Sequence, residues 1–159
     1  TMVLLIRRAQ ALMEAAGDDG DFDALCQQLH RYQATLRTCF TLENFDNLIK
    51  NGRMRPIVGT LLRSLGIHII ADATAEGTIH VADKARGVGK TYRAITALMK
   101  ASKDCTDAEV VISHCENLEG AMALKRQILE DLPVKHVDLL SCRGLTSFYA
   151  MEKGLIVGY

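Results

Sequence analysis

The sequence predicts an α/β fold (of the α+β kind): a mixed, partly antiparallel sheet covered by helices and preceded by a helical hairpin. Three observations carry that prediction. Residues 2–36 repeat apolar side chains at helical spacing on both sides of a Gly-rich break. From Ile67 onward, short apolar runs alternate with longer amphipathic stretches, the pattern of strands and helices in turn. Two of those runs flank Ala75-Glu76-Gly77, a tight turn that makes them an antiparallel pair.

Taken in order, Leu5, Ala9, Leu12 and Ala16 mark one face of a first helix, while Val3, Leu4 and Ile6 make its first turn apolar almost all round. No Ser, Asp or Asn precedes that turn as a cap. Two readings stand: the chain enters in mid-helix from a segment that precedes it, or it starts here and packs the turn on its own domain. Gly17-Asp18-Asp19-Gly20 breaks the helix, and Asp21 caps a second one with Phe22, Leu25, Cys26, Leu29, Tyr32 and Leu36 on its face. A strand over Thr38 to Thr41 leads to a helix bearing Leu42, Phe45, Leu48 and Ile49, stopped by Asn51-Gly52. Pro56 suits the first turn of the next helix, whose buried face is Ile57, Leu61, Leu62 and Leu65. Strands are expected over Ile67 to Asp72, Thr78 to Lys84, Glu109 to Ser113, Val134 to Leu140 and Leu155 to Tyr159. Helices are expected over Lys90 to Ser102 and Leu118 to Leu132. The point near Arg37 is the one boundary, giving a hairpin over 1–37 and an α/β domain over 38–159.

With 159 residues, 48% of them apolar, the chain supports one ordinary core and has no room for two full-size domains. Nineteen basic residues balance nineteen acidic ones, so the basic footprint of a nucleic-acid binder is missing. Five cysteines, none at metal or redox spacing, fit free thiols in a reducing cytoplasm. Val3 to Ile6 is too short for a membrane span, and Arg7 and Arg8 lie on the wrong side of it for a signal peptide.

Gly89-Lys90-Thr91 has the ending of a phosphate-binding loop, but that loop needs a glycine where Lys84 stands. What remains is a set of cations, Lys84, Arg86 and Lys90, near a helix start that favours an anion such as a carboxylate or phosphate. Ser113-His114-Cys115 puts a base between two nucleophiles, yet neighbours on a strand point to opposite faces. His114 is then either a polar group at the C-terminal edge of the sheet, with Asn117 capping the next helix, or a satisfied buried histidine. Residues 143–153 read as a loop mixing hydroxyls (Thr146, Ser147, Tyr149) with apolar groups (Leu145, Phe148, Met151), a composition that suits an amphipathic ligand. His30, His68, His80 and His136 share no ligand spacing, so no metal is expected.

The helical hairpin, the Asn51-Gly52-Arg53 turn, the Ile67 to Ile70 strand and the Lys84-x-Arg86 strand end are followed by Ile112-Ser113-His114 and then Glu116-Asn117-Leu118-Glu119-Gly120-Ala121. The chain closes on Gly154-Leu-Ile-Val-Gly-Tyr. In this order and spacing the segments resemble the DegV family over nearly the whole chain. The resemblance implies a bacterial fatty-acid-binding protein of two domains, of which some members present the bound acid to a fatty-acid kinase. It implies that this chain is the C-terminal domain with its lead-in helices, and that an N-terminal domain supplying hydroxyls to the carboxylate is missing. The expected ligand is a long-chain acid such as palmitate or oleate, with no cofactor and no catalytic activity of the chain's own. Arg86 matches the family's basic residue after the second hairpin strand, a cation for the head group or the kinase. Tyr149 stands where many members carry a His, and a phenol with a pKa of about 10 is neither cation nor base near neutral pH. The expected site is therefore Arg86, Ser147, Tyr149 and His114 at the polar end, with Ile57, Leu61 and Leu65 lining the wall around the tail. The alternative is an enzyme or regulatory module that binds a small phosphorylated or carboxylated anion.

Overall fold

The computed structural model of the chain describes every residue except 19, 55–65 and 75–76. Its strands are β1 (Thr38–Leu42), β2 (Ile67–Ala73), β3 (Ile79–Arg86), β4 (Glu109–His114), β5 (His136–Ser141) and β6 (Leu155–Gly158). The described helices are α1 (Met2–Ala16), α2 (Phe22–Thr35), α3 (Asp46–Lys50), α4 (Val88–Ser102), α5 (Leu118–Asp131) and α6 (Gly144–Ala150). The strands form one sheet in the order β3-β2-β1-β6-β4-β5. Only β4 and β5 run parallel, and α5 is the crossover that such a pair requires. The mixed sheet and the leading hairpin agree with the sequence reading.

Asp21 caps α2 as its chemistry predicts, its carboxylate accepting from the N–H groups of Asp23 and Ala24. Thr1 makes no side-chain cap on α1. The apolar first turn of α1 is divided: Leu4 is buried, while Met2 and Ile6 are exposed. α1 packs on α2 and on β4, and Arg7 bonds to Asp138 on β5.

Three expected boundaries shift. Leu42 ends β1 opposite Ile69 instead of starting a helix, because a strand position there buries it to 3% exposure. α4 starts at Val88, since Gly87 takes a φ of 86° that turns the chain out of β3. Residues 143–153 are no plain loop: 144–150 coil into α6, held by a bond from the Asn47 side chain to the Phe148 carbonyl and by burial of Ala150.

Strand alternation gives the sheet two faces. Cys39, Ile70, Ile112, Leu155 and Val157 belong to a core with Tyr92, Ile95 and Met99 of α4 and Leu124 and Ile128 of α5. Their neighbours Leu42, Ile69, Ala71 and, partly buried, Phe40 and Ile156 belong to a second core with Leu48 of α3 and Ala150 of α6. Thr41 shares the first face, and its Oγ1 is buried without a hydrogen-bond partner among the described residues, a defect that costs roughly 1–3 kcal/mol.

Candidate functional site

Among the described residues the second face is incompletely filled. Between α3, α6 and the strands lies a cleft of about 520 Å³, within the range of small-molecule sites. Phe40 and Leu42 of β1, Ile156 of β6 and Ile79 of β3 form its floor and side; Leu48 of α3 and Tyr149 and Ala150 of α6 close it over. Arg53 and Thr78 are the polar groups at its rim, and Arg53 has no ion-pair partner among the described residues. An apolar trough with the Arg53 cation at its edge, among the described residues, matches a chain-like molecule with an acidic end.

α6 is fixed in place by the turn between β4 and α5. The Cys115 N–H donates to the Gly154 carbonyl (3.0 Å), the Lys153 N–H returns to the Cys115 carbonyl (2.8 Å), and the Asn117 amide donates to the Lys153 carbonyl (2.9 Å). Glu116, Met151 and Lys153 all hold positive φ in these two turns, a strain that the cross-links sustain. Gly154 admits no side chain, because a Cβ would collide with the Ala150 carbonyl. Tyr149 stacks edge-on against Phe148, with ring centroids 5.1 Å apart. Its phenol is thereby carried on a braced two-turn helix at the cleft wall.

The expected site residues fall in different places. Tyr149 lines the cleft. Ser147 lies two positions away on the same helix, outside the cleft lining, and its hydroxyl donates to the Gly144 carbonyl at 2.9 Å. Arg86 is exposed at the end of β3, opposite Ile67, and does not line the cleft. His114 is buried on the other face, its Nδ1 accepting from the Asn117 N–H at 3.3 Å, so the ring helps brace the start of α5. Ile57, Leu61 and Leu65 lie outside the described residues. Sequence reasoning missed Phe40, Leu42, Leu48, Ile79, Ile156 and Arg53 as lining. The available signal was the alternation of β1, which sends Phe40 and Leu42 to the face opposite Cys39 and Thr41.

The two thiols packed against the second core, Cys115 and Cys142, are not activated. Burial pushes the Cys142 thiol up to about 11, with Cys115 adding to the shift, and burial raises Cys115 as well. Both stay protonated near neutral pH, the unreactive form. Among the described residues no cluster of His, Cys, Asp and Glu could hold a metal ion, and no helix is long and apolar enough to cross a membrane.

Comparison with known proteins gives this geometry a context. A family model described as an uncharacterised protein, DegV family, matches residues 3–155. A DegV domain-containing protein of Streptococcus gordonii is 31% identical over 151 residues, covering 94% of this chain and 53% of that protein. The crystal structure of a DegV family protein from Eubacterium eligens, loaded with heptadecanoic acid, has a TM-score of 0.89 at 25% identity, covering 99% of this chain and 55% of that one. The Streptococcus pneumoniae Fatty Acid Kinase (Fak) B3 protein, loaded with linoleic acid, has a TM-score of 0.86 at 31% identity, covering 98% of this chain and 54% of that one. This chain spans about half the length of these relatives.

Proposed function

The chain belongs to the DegV family, and on that premise we propose that it is the tail-binding half of a fatty-acid carrier. The observation that carries the reading is the apolar cleft of about 520 Å³ between α3, α6 and the sheet. Each CH₂ taken from water contributes about 0.8 kcal/mol, so ten methylenes in the cleft supply roughly 8 kcal/mol before the cost of ordering the chain. A long-chain acid such as palmitate or oleate has that length to bury. In this reading residues 38–159 form the binding unit, and the hairpin over 1–37 joins it to a further domain that completes the site. Tyr149 donates a hydrogen bond toward the carboxylate, and Arg53 lends it charge at the rim. The chain does no chemistry of its own. Arg86, exposed and away from the cleft, is the cation that faces a fatty-acid kinase acting on the presented acid.

The test is organic extraction of the intact protein after expression in bacteria, followed by mass spectrometry. Recovery of one equivalent of long-chain fatty acid is expected. A lipid-free protein that also fails to take up palmitate and oleate contradicts the reading.

A further inference from the structure

On the face opposite the apolar cleft, a cavity of about 320 Å³ opens between the end of β1 and the first turns of α4 and α5. Its chemistry differs from that of the cleft. Thr41 and Tyr92 line it at 6% and 8% exposure, and among the described residues the Thr41 hydroxyl is buried without a hydrogen-bond partner. Native folds rarely leave a buried hydroxyl unmatched, and the Thr41 Oγ1 in this cavity points to a molecule that matches it.

The charges around the cavity set the sign of that molecule. Among the described residues Glu43, Glu119 and Lys153 are the charged groups in the lining, with His68 a further titratable one. Lys153 Nζ sits 3.7 Å from Glu43, which leaves Glu119 without an ion-pair partner among the described residues. The Tyr92 phenol is raised first by burial and then by Glu119 and Glu43, so the field at its oxygen is negative. The Asn117 side chain already accepts the Gly120 N–H at the start of α5. An anion entering here meets the exposed Glu119 carboxylate, which repels it; a cation is drawn to it.

We propose that this cavity is a second ligand site, built for a small molecule that carries an ammonium group and a hydroxyl, of the short amino-alcohol class. Its hydroxyl bonds to Thr41 and Tyr92, and its ammonium group sits against Glu119. The site opens on the other face of the sheet and shares only Leu42 with the apolar cleft among the described lining residues, so this assignment does not rest on the fatty-acid reading.

The experiment is a titration of the intact protein with ethanolamine, followed by amide NMR, with glycerol and inorganic phosphate as parallel probes. Saturable shifts at Tyr92 and Gly120 with ethanolamine, and none with phosphate, are the expected result. Glu119→Gln and Tyr92→Phe each weaken the binding about tenfold or more, while extraction of lipid from these variants matches that of the parent. Thr41→Val, which keeps the side-chain shape, loses the binding and raises the thermal midpoint, because it removes the unmatched hydroxyl. The proposal is overturned if ethanolamine gives no saturable shift, if phosphate or glycerol binds as well, or if the variants leave the binding unchanged.

Discussion

The two faces of the sheet are made from the same strands by alternate residues, yet the described helices over β1, β2 and β6 are long on one face and short on the other. On the first face, two helices of 15 and 14 residues press Ile95, Met99, Leu124 and Ile128 onto Ile112 and Val157 at zero exposure. On the second, among the described residues, α3 and α6 beside the cleft have 5 and 7 residues, while α1 packs over β4. Long helices interdigitate with a sheet and stabilise it; short ones leave room for a guest. The first face thus holds the larger core, and the second holds the proposed acyl cleft.

Deleting side chains in the two cores separates these roles most sharply. Ile112→Ala is expected to cost about 3–5 kcal/mol in urea denaturation, because no neighbour can collapse into the hole. Leu48→Ala, at a wall that already borders empty space, falls near 2 kcal/mol and weakens fatty-acid binding as well. Equal losses at both positions break the distinction. A smaller effect comes from filling the cleft: Ile79→Trp is expected to lower oleate affinity about tenfold, or 1.4 kcal/mol, while the unfolding midpoint changes little.

The brace between the faces comes next. Asn117→Ala removes both the cap on Gly120 and the bond to the Lys153 carbonyl, and about 1–2 kcal/mol of stability with them. Hydrogen exchange should then quicken in 151–154 ahead of the α4 core.

The smallest effect lies at the sheet edge. Bonding to Arg7 holds the Asp138 carboxyl below its ordinary pKa. A depressed folded pKa contributes stability above the unfolded value near 3.9 and loses it as pH falls through the folded value. Both side chains are more than a third exposed, so the contribution is under about 1 kcal/mol and fades with salt. Subtracting an Asp138→Asn variant from the parent across pH 2 to 6 isolates it.

Much of the first face was legible from the sequence, because long periodic segments such as 118–131 fix helix type and apolar face together. The second face was less so. α6 begins on a glycine and carries Thr146, Ser147, Phe148 and Tyr149, none a strong helix former, and it coils because Asn47 and the 115–117 turn hold it. Leu42 was assigned to a helix because its apolar spacing with Phe45 and Leu48 fits one, whereas pairing with Ile69 decides its conformation. The cleft itself is the space that α3 and α6 leave between them, and no local pattern encodes a space. Tyr149 was reached through the family pattern, while Arg53 was passed over as part of a helix stop.

The central claim is that the acyl tail lies on the second face. It is tested most directly by loading the intact protein with a fatty acid that bears a photoreactive diazirine near its methyl end, irradiating it, and mapping the modified residues by mass spectrometry. Labels on Phe40, Leu42, Leu48, Ile79 or Tyr149 are the predicted result. Labels confined to α4 and α5, or none at all from a protein that holds the probe, contradict it.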